Sequence, residues 1–500
     1  MNGPKIGFSG PLPPQDFNMA HYCLAASARA MPDKIGLIVV HSADGTDTEI
    51  WTYRALDDAV RRVAAGLLNT GLRQGDRLMI RLPNTSTYAL LFFGALAAGI
   101  IPLPASTQLT NEEAEFLRSD CAAAAIALPD NLQMELGDTR RLTEQDIADL
   151  FTHGPGFYAD TKADQPGYLV YTSGTSGKPK GVLHAHRAAW GRRPMYDGWY
   201  GINANDIVLH AGAFNWTYTL GVGLTDPWAN GATAIVYTGE KDVNIWPQLI
   251  EQYRATLFAA VPSLYRQILK YCDLKVRDLS SLRHGLTAGE ALLPALQDHW
   301  HAATGKHLYE ALGMSECSTY ISTGPSMEIR AGSPGKAQPG RSIAILPVDA
   351  GDAPLPTGET GMLAVHRSDP ALMLNYWNRP EEDELVFRGD WFIGGDLARF
   401  DEDGYLWYEG RADDVMNAMG YRVSPQEVEA VLARHPDVQD VAVCELRITA
   451  DISVIAAFIV LKAAGNGSAT EVSTYAHEHL AAYKCPREII FIDTLPRSAN

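Results

Sequence analysis

A chain of 500 residues, 46% hydrophobic and 20% charged, has the composition of a soluble globular protein long enough for two or more domains. Its formal net charge of −18 repels polyanions, which argues against nonspecific binding to nucleic acid or to an anionic membrane, so an anionic ligand must find a local basic site. The six cysteines, Cys23, Cys121, Cys272, Cys317, Cys444 and Cys485, are far apart with no C-x-x-C pair and read as reduced thiols of a cytoplasmic protein, not as a disulfide framework or a zinc site.

The opening MNGPKIGFSGPLPP lacks a basic segment followed by an apolar one, so no secretory signal is expected. From about Asp33 to Leu128 strand-like and helix-like runs alternate: GLIVV, the helix-periodic YRALDDAVRRVAAGLLNTG, RLMIRL, ALLFFGALAAGII, then Ile101-Pro102-Leu103. The apolar run Ala89 to Ile101 is shorter than the ~20 residues of a membrane helix and reads as a buried helix. Such alternation predicts an α/β fold with a mostly parallel sheet covered by helices.

The strand Gly167 to Val170 leads into YTSGTSGKPKGV, residues 171–182, and Val182-Leu183 lead towards a helical stretch. Backbone N–H groups, hydroxyls and ammonium groups in such a turn can converge on phosphate oxygens. It is not a Walker A motif, because only two residues separate Gly174 from Gly177 and Pro179 follows Lys178; a mobile surface linker is the plain competitor.

Alternation resumes with IVLHAG, ATAIVY, a helix near Ile245 to Tyr253, TLFAAV and a helix from Ser263 to Tyr271. Between Ile329 and Val365, Gly- and Pro-rich turns separating SIAILPV and GMLAVH predict a small antiparallel region. A boundary is placed near Gly410 to Asp414, giving a large N-terminal domain over 1–410, a hinge at 411–413 and a small mobile α+β domain over 414–500. There Ser424, Pro425 and Glu427 supply an N-cap, a proline at N1 and a capping-box glutamate. Val428, Val431 and Leu432 form the buried stripe, Pro436 ends the helix, and the strands DVAVCEL and SVIAAFIVL, a helix opened by Ser468 with Glu471, and EIIFI follow.

YTSGTSGKPKGV resembles the phosphate-binding signature of the AMP-forming adenylating enzymes: acyl-CoA synthetases, peptide-synthetase adenylation domains and beetle luciferases. TAGEAL, YEALGMSE, GSPGKAQPG, GETGMLAV, LNYWNRPEE, WFIGGDLARFDEDGYLWYEGRADD and GYRVSPQEVE fall in that family's order and approximate spacing. The resemblance implies two steps. A carboxylate attacks the α-phosphate of ATP and expels pyrophosphate; a thiol then attacks the acyl-adenylate and expels AMP.

Positioning and charge neutralisation are then the main catalytic terms, because the first step brings two anions together. The resemblance places Thr172, Ser173, Gly174, Thr175, Ser176, Gly177 and Lys178 over the phosphates, Glu316 on Mg²⁺, and Ser315 near the α-phosphate. Asp396 would hold the ribose, with Arg411 on ribose or phosphate; Gly289, Glu290, Tyr309, Glu310, Ala311 and Leu312 would line the adenine. Thr172, Lys178, Glu316 and Arg411 are thus the candidate catalytic groups. Outside that set of motifs, Asp396 reads as a turn-former, Glu316 as a helix-end charge and Arg411 as a surface ion-pair partner.

Phe214, Trp216 and Tyr218, in HAGAFNWTYTL, are placed near the acid pocket, although their alternation equally describes aromatics buried in the core. Gly313 stands where acetate-specific relatives carry a pocket-shortening tryptophan, which favours a medium-chain or aromatic acid. Asp413 matches the hinge, and Gly420 the backbone beside the pantetheine arm. Cys317 has no basic partner in the sequence and reads as structural filler; His184 and His186, in LHAHR, read as solvated or capping. The chain stops at LPRSAN, short of the lysine in the family's closing string, so a shortened chain that adenylates poorly is expected.

The expectation is therefore an ATP- and Mg²⁺-dependent carboxylic acid:CoA ligase, cytoplasmic, with coenzyme A as co-substrate and no nucleic-acid partner or membrane insertion. A homo-oligomer is possible. The alternatives are an adenylating enzyme that loads a carrier-protein thiol and a non-catalytic nucleotide-binding protein.

Overall fold

The computed structural model describes residues 7–172, 179–240, 242–412, 416–418, 421–423, 425–449, 452–462 and 467–495. Its largest sheet has nine strands in the order Lys336–Ala337, Ser318–Ser322, Leu308–Met314, His284–Ala288, Leu257–Ala259, Ile207–His210, Thr233–Tyr237, Ile35–Val40, Thr48–Thr52. The run from Leu308–Met314 to Ile35–Val40 is parallel throughout, and the outer strands pair antiparallel. Parallel strands are covered on both faces, and His284–Ala288 is buried at every position. Ligands of such sheets sit beyond the carboxyl ends of the strands. There His284–Ala288 runs into Gly289-Glu290, and Leu308–Met314 into Ser315-Glu316.

GLIVV and RLMIRL, neighbours in the alternation, enter different sheets. Arg77–Ile80 joins a separate four-stranded parallel sheet with Ile101–Pro104, Ala125–Ala127 and Arg140–Leu142. Between the layers lies the expected apolar helix, Ser86–Ala97, buried at nearly every position. It rests on Tyr53–Asn69 where Gly94 lets the two backbones approach: a Cβ there would meet Val63 at 2.4 Å. Among the described residues no helix is long and apolar enough to cross a membrane.

Residues 173–178 lie outside the described residues, but their flanks differ from expectation. Pro166–Thr172 and Lys180–Ala185 are antiparallel partners, with Thr172 opposite Lys180. The two flanking strands thus form a hairpin, and short helical turns begin only at His186. The expected antiparallel region is present as Ile343–Leu346, Gly361–His366, Trp391–Phe400, Phe387–Arg388 and Leu406–Arg411.

Towards the C-terminus, Val438–Arg447 pairs antiparallel with Ser453–Leu461, which pairs parallel with Glu488–Phe491. Helices Pro425–Leu432 and Ala469–His479 cover this sheet around Val428, Leu432, Val443, Ile459 and Val472. The Ser468–Glu471 capping box forms as its sequence dictates. Ser424, and with it the capping box expected there, lies outside the described residues; Glu427 Oε1 accepts from Lys484 Nζ at 2.7 Å.

Candidate active site

One cavity of about 370 Å³ opens at the carboxyl ends of the central strands. Its walls bring together Thr172, Gly289, Glu290, Glu310, Ala311, Leu312, Gly313, Ser315, Asp396 and Arg411 with Trp216 and Tyr218. Residues separated by more than 200 positions meet because the sheet places successive strand ends side by side.

On the nucleotide side, Gly289 has φ +89°, a conformation glycine adopts without a Cβ clash. Glu290 accepts from Ser263 N and Oγ at 3.1 and 2.9 Å, and burial raises its pKa. Glu310 accepts from the Leu292 amide at 2.9 Å; burial pushes its carboxyl up to about 7. Asp396, at the cavity wall, is held by Arg411 Nη1 at 3.1 Å and the Tyr408 hydroxyl at 3.4 Å. Both members of this ion pair have side chains only 7% exposed, so the carboxylate is fixed by its neighbours.

Glu316 is buried behind the cavity wall. Its Oε1 accepts from the Tyr376 hydroxyl at 2.8 Å, while Oε2 is buried with no partner among the described residues. An unpaired buried carboxylate oxygen costs free energy, and a hard, oxygen-seeking cation such as Mg²⁺ suits it. Among the described residues no group of three metal-binding side chains exists, so such an ion would lean on phosphate oxygens and water for its remaining ligands. The turn carrying Ser315 and Glu316 is held from below by His184, whose Nε2 donates to the Ser315 carbonyl at 2.7 Å.

Several expectations are corrected here. Neither histidine is solvated: His184 stacks on Tyr168 at 4.7 Å, whereas His186 does cap, its Nδ1 accepting at 3.2 Å from the Met19 amide that opens helix Met19–Ala30. Burial pushes both imidazoles down to about 4. Phe214 does not line the cavity; it is fully buried, stacked on His210. Tyr309 also faces away, its carbonyl accepting from Trp199 Nε1 at 2.8 Å and its ring edge-on to His284. Lys180, the second lysine of the quoted loop, pairs with Glu382 and lies over the Tyr376 ring.

Gly313 lines the cavity, but a Cβ on it would meet the Ser318 carbonyl oxygen at 2.2 Å and Thr319 Cα at 2.5 Å. The glycine is thus demanded by the bulged pairing of its strand with Ser318–Ser322 and does not by itself report the length of the acid. Cys317 is buried, and its thiol pKa is raised by burial, as suits filler. Asp413, Gly420 and residues 173–178 lie outside the described residues.

The sequence reading missed Tyr483 and Lys484, which line the cavity from the C-terminal side, and Ser318 and Thr319, which line it beyond the Glu316 turn. Lys484 Nζ bridges Glu427 at 2.7 Å and Glu113 at 3.3 Å. No local pattern marks it. A lysine after a helix reads as a surface charge until the fold buries it.

Fold and cavity together define an adenylate-forming ligase, and comparison with known proteins agrees. Residues 24–377 match the model described as AMP-binding enzyme, and residues 427–500 match that of the AMP-binding enzyme C-terminal domain. The chain belongs to this family, in its acyl-CoA synthetase branch. The mitochondrial acyl-coenzyme A synthetase ACSM5 of Homo sapiens is 31% identical over 99% of this chain and 90% of its own length. The benzoate–CoA ligase of Thauera aromatica is 30% identical over 91% of this chain and 89% of its own. Among solved structures, a variant of o-succinylbenzoate CoA synthetase from Bacillus subtilis with a product analogue superposes with a TM-score of 0.84, at 25% identity, over 97% of both chains.

Proposed function

We propose that the chain is an ATP-dependent, AMP-forming carboxylic acid:CoA ligase whose acid is medium-chain or aromatic. The observation that carries this reading is the single cavity in which the Asp396–Arg411 pair, the Gly289–Glu290 and Glu310–Ser315 walls, and the Trp216 and Tyr218 rings converge. Polar groups that suit a nucleotide and aromatic surface that suits an acyl body share one space. The relative named for benzoate supports an aromatic acid, and the one named for acyl groups supports carboxylic acids as a class.

In this reading a carboxylate oxygen of the acid attacks the α-phosphorus of ATP, the bond to the β-phosphate oxygen breaks, and pyrophosphate leaves. The thiolate sulfur of coenzyme A, its proton released to water, then attacks the acyl carbon, the C–O bond breaks, and AMP carries off the electron pair. Asp396, already oriented by Arg411 and Tyr408, accepts from the ribose hydroxyls. Ser315, on the turn held by His184, donates to the α-phosphate, and Glu290 and Glu310 border the base. Trp216 and Tyr218 exclude water from the acyl body. Mg²⁺, held by Glu316 Oε2, would supply neutralisation of phosphate charge.

The test is CoA-thioester formation across a panel of acids, with AMP and pyrophosphate measured beside the thioester. Release of ADP, or no thioester with any acid, would overturn the reading. Glu316→Gln should lower Mg²⁺-dependent pyrophosphate release by about 10²- to 10³-fold with an unchanged melting temperature; full activity in that variant removes Glu316 from the metal.

A further inference from the structure

Beneath the wall formed by Gly313 and Ser318 lies a buried ion pair that the ligase reading leaves unused. Arg192 Nε and Nη2 donate to the two carboxylate oxygens of Asp226 at 2.7 and 2.6 Å, and the Tyr200 hydroxyl donates to Asp226 Oδ2 at 2.6 Å. The two side chains are 6% and 0% exposed. Gly221 makes the room: a Cβ there would meet Arg192 Nη2 at 2.1 Å. Burial alone would favour the neutral guanidine, but Asp226 outweighs it and keeps Arg192 charged.

The third nitrogen, Nη1, donates to Ser318 Oγ. Ser318 has φ +59°, a left-handed conformation that non-glycine residues seldom adopt. It lines the cavity beside Gly313 and Thr319 and near the helix that carries Tyr218. Since Oγ already accepts from a cation, its own proton is the group left to donate, and that proton has no acceptor among the described residues. A hydroxyl with a charged donor behind it is a stronger donor than an ordinary serine. Strained backbone and a half-buried, buttressed hydroxyl facing a cavity are features that accumulate where a ligand must be recognised.

We propose that Ser318, backed by Arg192, is the specificity-determining donor for a neutral hydrogen-bond acceptor on the body of the acid: a keto, hydroxyl or ether oxygen. The assignment rests on the ligase reading and narrows its substrate class. A purely hydrocarbon acid would cover the hydroxyl and leave its proton unpaired. A second carboxylate is disfavoured because Asp226 already neutralises Arg192. The cationic residues of the described wall, Arg411 and Lys484, are engaged by Asp396 and by Glu427 with Glu113.

The experiment measures kcat/KM for thioester formation with acids matched in shape but differing in one acceptor: benzoate against its hydroxy- and methoxy-derivatives, hexanoate against oxohexanoates, and phthalates as dicarboxylates. The wild-type chain should prefer the best acceptor-bearing acid to its hydrocarbon parent by about tenfold or more. Ser318→Ala should collapse that ratio. So should Ser318→Gly, which relieves the left-handed backbone and so guards against a folding defect in the alanine variant. A ratio unchanged in both variants, no preference in the wild type, or a preference for the dicarboxylates would overturn the assignment. Absence of thioester with every acid would overturn the ligase reading itself and the assignment with it.

Discussion

The cavity has a floor and a lid, and they are held by different physics. The floor is the end of the nine-stranded sheet, braced by Arg192 and Asp226, a bidentate pair shut away from water. The lid is the C-terminal unit, which has a hydrophobic core of its own and, among the described residues, meets the rest of the chain at the helix Asn111–Asp120 beside the four-stranded sheet. Glu113 Oε1 accepts from the Ala481 amide at 3.0 Å and from Lys484, and Tyr483 and Ala481 pack on the apolar cluster around Leu109 and Leu117. Glu112 meets Arg434 at 3.3 Å in a pair that is more than half exposed on both sides. Parting the lid would break these contacts and uncover the cluster around Leu109 and Leu117, while leaving the lid's own core closed. We propose that this unit moves between the two half-reactions of the proposed ligase.

Breaking the floor should have the largest effect. Asp226→Ala leaves Arg192 buried and uncompensated and should cost about 3–5 kcal/mol, read as a lower urea midpoint; a loss comparable to that of a surface substitution would show the floor to be no more tightly built than the lid.

Glu310 sharpens the comparison by pH. Burial holds its proton up to about pH 7, whereas the unfolded chain loses it near its ordinary value of 4.5. The folded state therefore binds more protons between these values. From this group, stability falls as pH rises through that window, by up to about 3 kcal/mol, and is level above it. Glu310→Gln keeps an oxygen for the Leu292 amide and should flatten the melting temperature between pH 5 and 7. An identical pH slope in wild type and variant would refute the buried-acid account.

Gly313→Ala tests the floor by shape. A methyl group driven into the Ser318 carbonyl should cost about 1–3 kcal/mol, measured by thermal unfolding. If stability is kept and only the longest acids are lost, Gly313 gauges acid length after all.

The smallest effect is expected at the lid. Glu113→Gln leaves Lys484 its Glu427 partner and should cost about 1 kcal/mol or less. Hydrogen exchange should quicken at Ala481 and remain slow in the strands Val438–Arg447 and Ser453–Leu461. Joint loss of protection would mean that lid and core are one cooperative unit.

Some of this was legible in advance because it is local. The periodicity of YRALDDAVRRVAAGLLNTG, the capping box at Ser468 and Glu471, and the length of the apolar run at 89–101 each depend on residues within a turn or two. The order of the eight motifs pointed to the family because each motif is a short run of consecutive residues, read without the fold. The candidate groups Glu310, Ser315 and Asp396 line one cavity, although nothing in their spacing says so.

What the sequence could not settle was long-range. Phe214 and Tyr309 sit in strings that belong to the site, yet both turn away from the cavity, because side-chain direction at a strand end or irregular turn depends on what packs behind it. His184 and His186 looked like surface residues and are buried, His184 against its cross-strand partner Tyr168 and His186 against the start of helix Met19–Ala30. Lys484 lies 371 positions from Glu113, and Arg192 126 from Ser318. By itself the sequence determined the elements, their caps and the family. Only the tertiary structure decided which carboxylate each cation meets, because at such separations the partner is chosen by sheet order and burial and leaves no mark in the local pattern.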